Sequence, residues 1–327
     1  MNAWLARPLR SPPHARASGF LADAVAGLCH DGQKTLPPKY LYDELGSMLF
    51  DAITRLPEYG VWRAERRLLE AHAETIATAS AADLVIELGS GSAEKTRTLL
   101  EALLSQRRVI YCPVEISQSA LDASHRALDD LDGLLFRGIA RDYLAGVDEA
   151  LAVRDASQPA LVLFLGSSLG NFDAEAGENF LRALRERLMP GDFLLLGADL
   201  DKPEPTLRAA YDDALGVTAA FNLNVLARMN RELGADFRLP HFRHRLEFDR
   251  AARSIEMHIE SLRTEVVHFG HGDFEIELAR GETIHTETSH KYSLDEIDEL
   301  LPGCGFRRAE QWVDHQWGFA TGLYIAD

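Results

Sequence analysis

The run Asp83-Leu-Val-Ile-Glu-Leu-Gly-Ser-Gly-Ser92 holds residues whose types and order can bind a nucleoside cofactor. An apolar stretch ends in two glycines and opens onto leucines at helical spacing, the pattern of strand, tight turn and helix. In open α/β sheets, ligands collect beyond the carboxyl ends of strands, where such turns lie. A dinucleotide turn needs glycine at its first, third and sixth positions so that a diphosphate can reach the helix N-terminus. Gly89 and Gly91 satisfy the first two, but the sixth position is Glu94, whose carboxylate would repel a diphosphate. S-adenosylmethionine carries a sulfonium and an amino-acid tail instead, and Glu87 before the glycines with the small Ala93 after them suit it better. The alternative is a tight loop with no ligand.

Glu115, after the apolar run Val109 to Val114, stands where an acid accepts hydrogen bonds from both ribose hydroxyls; a solvated acid at a strand end would look the same. Asp142 can hold an adenine by its amino group while Tyr143 flanks the ring. In Phe164-Leu-Gly-Ser-Ser-Leu-Gly-Asn171, Gly166 lets a substrate approach the backbone. Asn171 there offers a donor and an acceptor, although a helix cap explains it equally. An extended Thr286-Glu-Thr-Ser-His-Lys291 puts Glu287 and Ser289 on one face and Thr286, Thr288 and His290 on the other. A carboxylate beside a hydroxyl suits an imidazole, and the plain alternative is an exposed polar strand. The pairs His241/His244 and His268/His271 suit a metal only on a helix, and Gly270 breaks the second pair, so no metal site is expected.

These residues need elements to position them. From about Ala64 the chain alternates helices with short apolar runs: a helix to about Ala79, the run Leu84 to Leu88, and a helix bearing Leu99, Leu100, Leu103 and Leu104. The runs Val109 to Val114, Ala160 to Gly166 and Asp192 to Gly197 continue the series, with helices over Ser117 to Leu131 and Phe180 to Leu188 between them. That rhythm indicates right-handed βαβ units and a parallel sheet. It stops after about Asp201, where a helical piece, Thr206 to Leu233, precedes strand-like stretches at Arg253 to Glu260 and Phe274 to Leu278. It resumes near Lys291, where Ser293 and Glu296 make a capping box, and closes with an antiparallel strand over Gly318 to Ile325. The first stretch, to about Arg63, mixes Pro, Gly and aromatics and reads as loops and short helices without a sheet of its own. The expectation is an α/β sheet domain over residues 64–200 and 291–327, with residues 1–63 and 201–290 together forming a cap.

With 327 residues, 46% hydrophobic and 26% charged, the chain can bury a core like an ordinary globular protein. Its formal net charge of −17 argues against nucleic acid or an anionic membrane as partner, since phosphates need cationic surface. Cys29, Cys112 and Cys304 are too few and scattered for a disulfide framework. No stretch reaches the roughly 18 apolar residues of a membrane helix, and Met1 to His14 lacks the apolar core of a secretory signal. A cytoplasmic monomer acting on a small molecule is expected.

Longer motifs add specificity. Leu36-Pro-Pro-Lys-Tyr-Leu-Tyr-Asp, Gly46-Ser-Met-Leu-Phe-Asp, Ile53-Thr-Arg-Leu-Pro-Glu-Tyr, Glu87-Leu-Gly-Ser-Gly-Ser-Ala-Glu-Lys-Thr, Phe164 to Asn171 and Tyr211-Asp-Asp-Ala-Leu-Gly-Val-Thr-Ala-Ala-Phe-Asn resemble the ergothioneine-pathway L-histidine Nα-methyltransferases. The resemblance runs in order from about Leu36 to the C-terminus. It implies a Rossmann-like S-adenosylmethionine-dependent methyltransferase sheet with an inserted substrate-binding cap domain, and three methyl transfers to the α-amine of histidine, giving hercynine. By the same resemblance, Tyr59 and Asn171 hold the carboxylate and amine end of the substrate. Tyr42, Phe50, Gly166, Tyr211 and Met257 line its pocket, Glu287 and Ser289 read its imidazole, and Gly89, Lys95, Glu115, Asp142 and Tyr143 contact the cofactor. Read without the resemblance, Tyr42 and Tyr59 are amphipathic core residues, and a core or cap explains Phe50 and Met257 as well as a pocket does. Two departures stand out: Gly60-Val-Trp-Arg-Ala-Glu replaces a family Tyr-Pro-Thr-Arg pattern, and Glu115 replaces an Asp.

Methyl transfer from a sulfonium needs a neutral amine aligned opposite the sulfur. No histidine or lysine stands out as a base, so proton loss to water or through Tyr42 is expected, with Tyr42 and Asn171 the candidate catalytic residues. A methyltransferase of tryptophan or another aromatic amino acid is the nearest alternative; a carboxylate at Glu287 facing an indole would be costly. A non-catalytic cofactor-binding regulator is the other, and the coexistence of the Gly89 turn with Tyr59, Asn171 and Glu287 speaks against it.

Overall fold

The computed structural model describes residues 13–29, 32–155 and 158–327. The reading of Met1 to His14 as free of a secretory signal falls almost wholly outside the described residues. The chain opens with a 16-residue helix, α1 (Pro13–Leu28), followed by β1 (Lys34–Thr35) and α2 (Glu44–Thr54). The 16-residue α1 is longer than the short helices expected there, while β1 joins a sheet made by later strands, so the segment forms no sheet of its own. Asp43 starts α2 by accepting the Gly46 amide at 2.7 Å.

Helices and strands then alternate: α3 (Val61–Ser80), β2 (Leu84–Leu88), α4 (Thr96–Leu104), β3 (Val109–Val114), α5 (Gln118–Leu128), β4 (Leu134–Phe136), α6 (Tyr143–Leu151), β5 (Ala160–Phe164), α7 (Ala174–Arg187) and β6 (Phe193–Asp199). Next come α8 (Glu204–Tyr211), α9 (Val217–Leu233), β7 (Phe242–Asp249), β8 (Ser254–Ser261), β9 (Glu265–Phe269), β10 (Phe274–Leu278) and β11 (Thr283–His290). The chain closes with α10 (Leu294–Gly303), β12 (Phe306–Asp314) and β13 (Phe319–Ala326). The single helical piece expected over Thr206 to Leu233 is two helices. Gly216 takes a left-handed φ of 73° between them, and the Asp213 carboxylate accepts the Val217 and Thr218 amides at 3.0 and 2.8 Å to begin α9.

The chain packs as two units, each built from separated segments. The first holds Val61–Asp201 and Tyr292–Asp327; the second holds 13–60 and Lys202–Lys291. The first unit contains a seven-stranded sheet in the order β12-β13-β6-β5-β2-β3-β4. Strands β6 to β4 run parallel, while β13 is antiparallel to both β6 and β12. Side chains alternate between two buried faces: Leu84, Ile86, Val162 and Phe164 enter one core, Val85, Leu161 and Leu163 the other. Because β3 and β4 lie to one side of β2 and β5 to the other, the strand order reverses there. That is where open sheets bind ligands.

In the second unit, β1, β11, β8 and β7 form a mixed sheet, and β9 and β10 a separate ribbon. Phe221, Val225, Leu226 and Met229 are buried on α9. Asn222 of that helix donates to the His258 carbonyl at 3.0 Å and accepts from Thr286 at 2.6 Å, fastening α9 to the sheet. The register of β11 on β8 shifts between His285 and Glu287, so Thr286 is a bulge. The strict alternation expected there is therefore broken: Thr286 and Glu287, adjacent in sequence, are both buried. Beyond the bulge, Glu287, Ser289 and Lys291 alternate regularly.

Among the described residues no helix is long and apolar enough to cross a membrane, and no group of His, Cys, Asp and Glu is gathered to hold a metal.

Candidate active site

In the first unit, the turn after β2 is shaped by Gly89 and Gly91, at φ 73° and 54°. A Cβ on Gly89 would strain its left-handed backbone and stand 3.1 Å from the Tyr143 hydroxyl, which packs over the turn. The turn is anchored beneath by Glu87, which is buried and accepts the hydroxyls of Thr96 and Tyr111. Burial pushes its carboxyl up to about 7 against those two hydrogen bonds and the Lys95 charge. Glu87 thus braces the turn from below, and its oxygens serve Thr96 and Tyr111. Glu115 follows β3 and accepts the Ile116 amide at 2.8 Å; burial raises its carboxyl above the ordinary range despite the amides of Ser117, Ile116 and Gly91. Asp142 precedes α6 but makes no side-chain cap to it. Tyr143, on its first turn, packs edge-on against Phe164 at 5.5 Å between ring centroids.

Gly166 follows β5 with φ 74°. Asn171 ends a short 3₁₀ turn, and the cap of α7 is Asp173, which accepts the Ala176 amide at 2.7 Å; capping is therefore not the role of Asn171. Glu65, a residue the sequence reading did not single out, gathers this region. Its fully buried carboxylate holds the Lys95 ammonium and accepts the Gly166 amide at 2.9 and 3.0 Å. The position that a Cβ on Gly197 would fill lies 2.1 Å from its Oε1, so β6 needs glycine to admit it. Lys95, expected to contact the cofactor, is held here by the buried Glu65 carboxylate.

The fit to S-adenosylmethionine rests on these features. The glycine cradle lies under an aromatic ring, Glu115 supplies an acceptor at the second strand end, and the Asp142 carboxylate is not spent on its own helix.

In the second unit, five aromatic rings form a chain of edge-on and tilted contacts. Tyr211 meets Tyr59 at 5.9 Å, Tyr59 meets Phe50 at 6.3 Å, Phe50 meets Tyr42 at 5.5 Å, and Tyr42 meets Phe221 at 5.3 Å. Phe221 was not expected in this group; on α9 it looks like any core residue. Met257 pairs directly across the sheet from Glu287, so their side chains share a face. Glu287 is 7% exposed, which excludes the exposed polar strand. Burial pushes its carboxyl up to about 7, partly offset by the Lys291 charge and the Tyr42 hydroxyl, 3.5 Å from its Oε1. Ser289 lies 2.9 Å from the Tyr211 hydroxyl, and the buried Lys291 ammonium donates to both oxygens at 2.7 Å. Seven expected substrate residues, Tyr42, Phe50, Tyr59, Tyr211, Met257, Glu287 and Ser289, thus belong to this unit, while Gly166 and Asn171 belong to the first. Lys291 was overlooked as a site residue, although it continues the period-two series of Glu287 and Ser289.

A reversing parallel sheet whose glycine turn meets an aromatic ring and a second-strand acid, with no diphosphate glycine, defines an S-adenosylmethionine-dependent methyltransferase. A family model described as histidine-specific, S-adenosylmethionine-dependent methyltransferase matches residues 20–325, and the chain belongs to that family. It is 40% identical to the histidine Nα-methyltransferases of Mycolicibacterium smegmatis and Mycobacterium tuberculosis, over 94% of this chain and 95% of each of theirs. It is 29% identical to ergothioneine biosynthesis protein 1 of Neurospora crassa over 90% of this chain, which spans 33% of that longer protein.

Proposed function

We propose that this protein transfers three methyl groups from S-adenosylmethionine to the α-amine of L-histidine, forming hercynine, the first step of ergothioneine biosynthesis, as a monomer in the cytoplasm. The observation that carries the reading is Glu287, a buried carboxylate sharing a sheet face with a hydroxyl cluster. A carboxylate beside a hydroxyl suits an imidazole, accepting its N–H and pairing with its charge when it is protonated.

Bound S-adenosylmethionine supplies a methyl carbon made electrophilic by its sulfonium. Gly89, Glu115, Asp142 and Tyr143 would hold its nucleoside, and Lys95 its amino-acid carboxylate. Glu287 and Ser289 would fix the ring of histidine; Tyr59 and Asn171 would take its carboxylate and amine end. The amine lone pair forms the N–C bond as the C–S bond opens, leaving a neutral thioether and an ammonium. Each round needs a neutral amine, so a proton must leave first, to water or through the Tyr42 hydroxyl. After the third round no N–H remains, and the product is a fixed cation. The wall of Tyr42, Phe50, Tyr59 and Phe221 suits that growing charge through cation–π attraction.

The test is mass spectrometry of the purified protein with S-adenosylmethionine and the twenty amino acids together. Histidine alone is expected to gain three methyls. Methylation of tryptophan instead, or of nothing, would overturn the reading.

A further inference from the structure

Asn222, on α9, is fully buried, and both protons and the oxygen of its amide are engaged. The His258 carbonyl can only accept, so the amide atom 3.0 Å from it is the nitrogen, Nδ2. That nitrogen also lies 2.9 Å from His244 Nδ1, which must therefore accept its second proton. A neutral imidazole accepting at Nδ1 carries its proton on Nε2, and His244 Nε2 stands 3.0 Å from the Tyr211 carbonyl, an acceptor. On its other side, Asn222 Oδ1 accepts the Thr286 hydroxyl at 2.6 Å. Thr286 is the bulge residue directly before Glu287. One chain of donors and acceptors thus runs from the last residue of α8, through β7 and α9, to the bulge in β11.

We propose that Asn222 and His244 are positioning residues that hold the Tyr211 backbone and the Glu287 bulge in fixed relation, and that they do so only while the His244 ring is neutral. The inference rests on the reading of histidine as substrate and adds to it two residues outside the set that faces the substrate. A proton on Nδ1 would set an N–H against the Asn222 N–H and break the chain at its middle. The surroundings favour the neutral ring. Burial holds the His244 imidazole below its ordinary range, and the His258 ring opposes a second charge, against the Tyr211 carbonyl and the Asp212 and Asp213 carboxylates. From α9 the ring meets only the uncharged Asn222 amide. Acid therefore loosens the substrate face from within, separately from any proton taken up by the substrate or by Glu287.

The KM for histidine and the kcat of full-length variants, followed from about pH 8 to about pH 5, test this. His244→Leu removes both polar contacts and is expected to raise KM on the order of tenfold at about pH 8, more than it lowers kcat, with the cofactor dissociation constant unchanged. His244→Gln, whose amide can donate and accept but cannot take a proton, should stay within about threefold of the wild type. The ratio of its KM to that of the wild type cancels the titrations both enzymes share. That ratio should fall as the pH falls, because only the wild type loses its neutral ring. A ratio that stays constant with pH, or a His244→Leu enzyme with unaltered KM, would overturn the inference. If His244→Leu fails to fold, Thr286→Val takes its place, since it removes the hydroxyl and keeps the branched shape; the same rise in KM is expected, and an unaltered KM again overturns the inference. Failure of the underlying reading shows separately, as a wild-type protein that does not methylate histidine; that result overturns both.

Discussion

Burial decides what a carboxylate is at neutral pH, and it pushes both Glu87 and Glu287 up to about 7. Their neighbours give them different work. Glu87 accepts the hydroxyls of Thr96 and Tyr111 beneath the glycine turn, and Glu287, 3.5 Å from the Tyr42 hydroxyl, lies within reach of the Lys291 charge. Because the folded carboxyl of Glu287 titrates above its ordinary value of 4.5, folding favours its protonated form. Its contribution to stability is full below 4.5 and is lost as the pH rises through 7. Glu287→Gln should therefore melt like the wild type near pH 4.5 and be more stable near pH 8, by up to roughly 3 kcal/mol. The same variant should bind histidine more weakly while binding cofactor normally. Thermal melts at the two pH values check the first effect and calorimetric titration the second; a constant offset between the melts would show that Glu287 carries no burial penalty. Glu287 and Ser289 were legible in the sequence because period two in a strand needs no tertiary knowledge. The Tyr211–Ser289 contact was not, since Tyr211 lies 78 residues from Ser289.

At the scale of elements, the first unit depends on α3 reaching β6. Glu65 enters between Lys95 and Gly166, partners 30 and 101 residues away, and Gly197 leaves the space for it. On a helix that also carries Glu70 and Glu74, it reads in sequence as one more solvated acid. The turn glycines were legible because conformation demands them locally; Gly197 was not, because its reason is another element's side chain. Gly197→Ala should displace the Glu65 carboxylate and release both Lys95 and the Gly166 amide. The expected result is a loss of about 1–3 kcal/mol in stability from overpacking, with cofactor affinity falling on the order of tenfold. Denaturant melts and cofactor titration measure the two. Unchanged cofactor affinity in a destabilised variant would confine Glu65 to a structural role.

For the whole molecule, the alternating stretch from α3 to β6 was read from hydrophobic period alone, because each strand buried on both faces stays apolar throughout. Strand β12 escaped notice: its burial is partial and its residues are mostly polar or charged. Its partner β13 lies inside the sheet, hydrogen-bonded to β12 on one side and β6 on the other. Removing Phe319–Ala326 should leave β6 a bare edge and abolish soluble, cofactor-binding protein; soluble yield and cofactor titration would show it. A truncated protein that still binds cofactor would mean the sheet closes without this strand.

The position of β13 also sets the timing of birth. The strands β2 to β6 are translated before Lys202–Lys291, and the strand that seals β6 only after it. Through that interval an apolar parallel sheet waits with an open edge, the state most prone to pairing with a neighbouring nascent chain. The yield of active protein in a cell should therefore depend on chaperones that shield the chain until β13 is made.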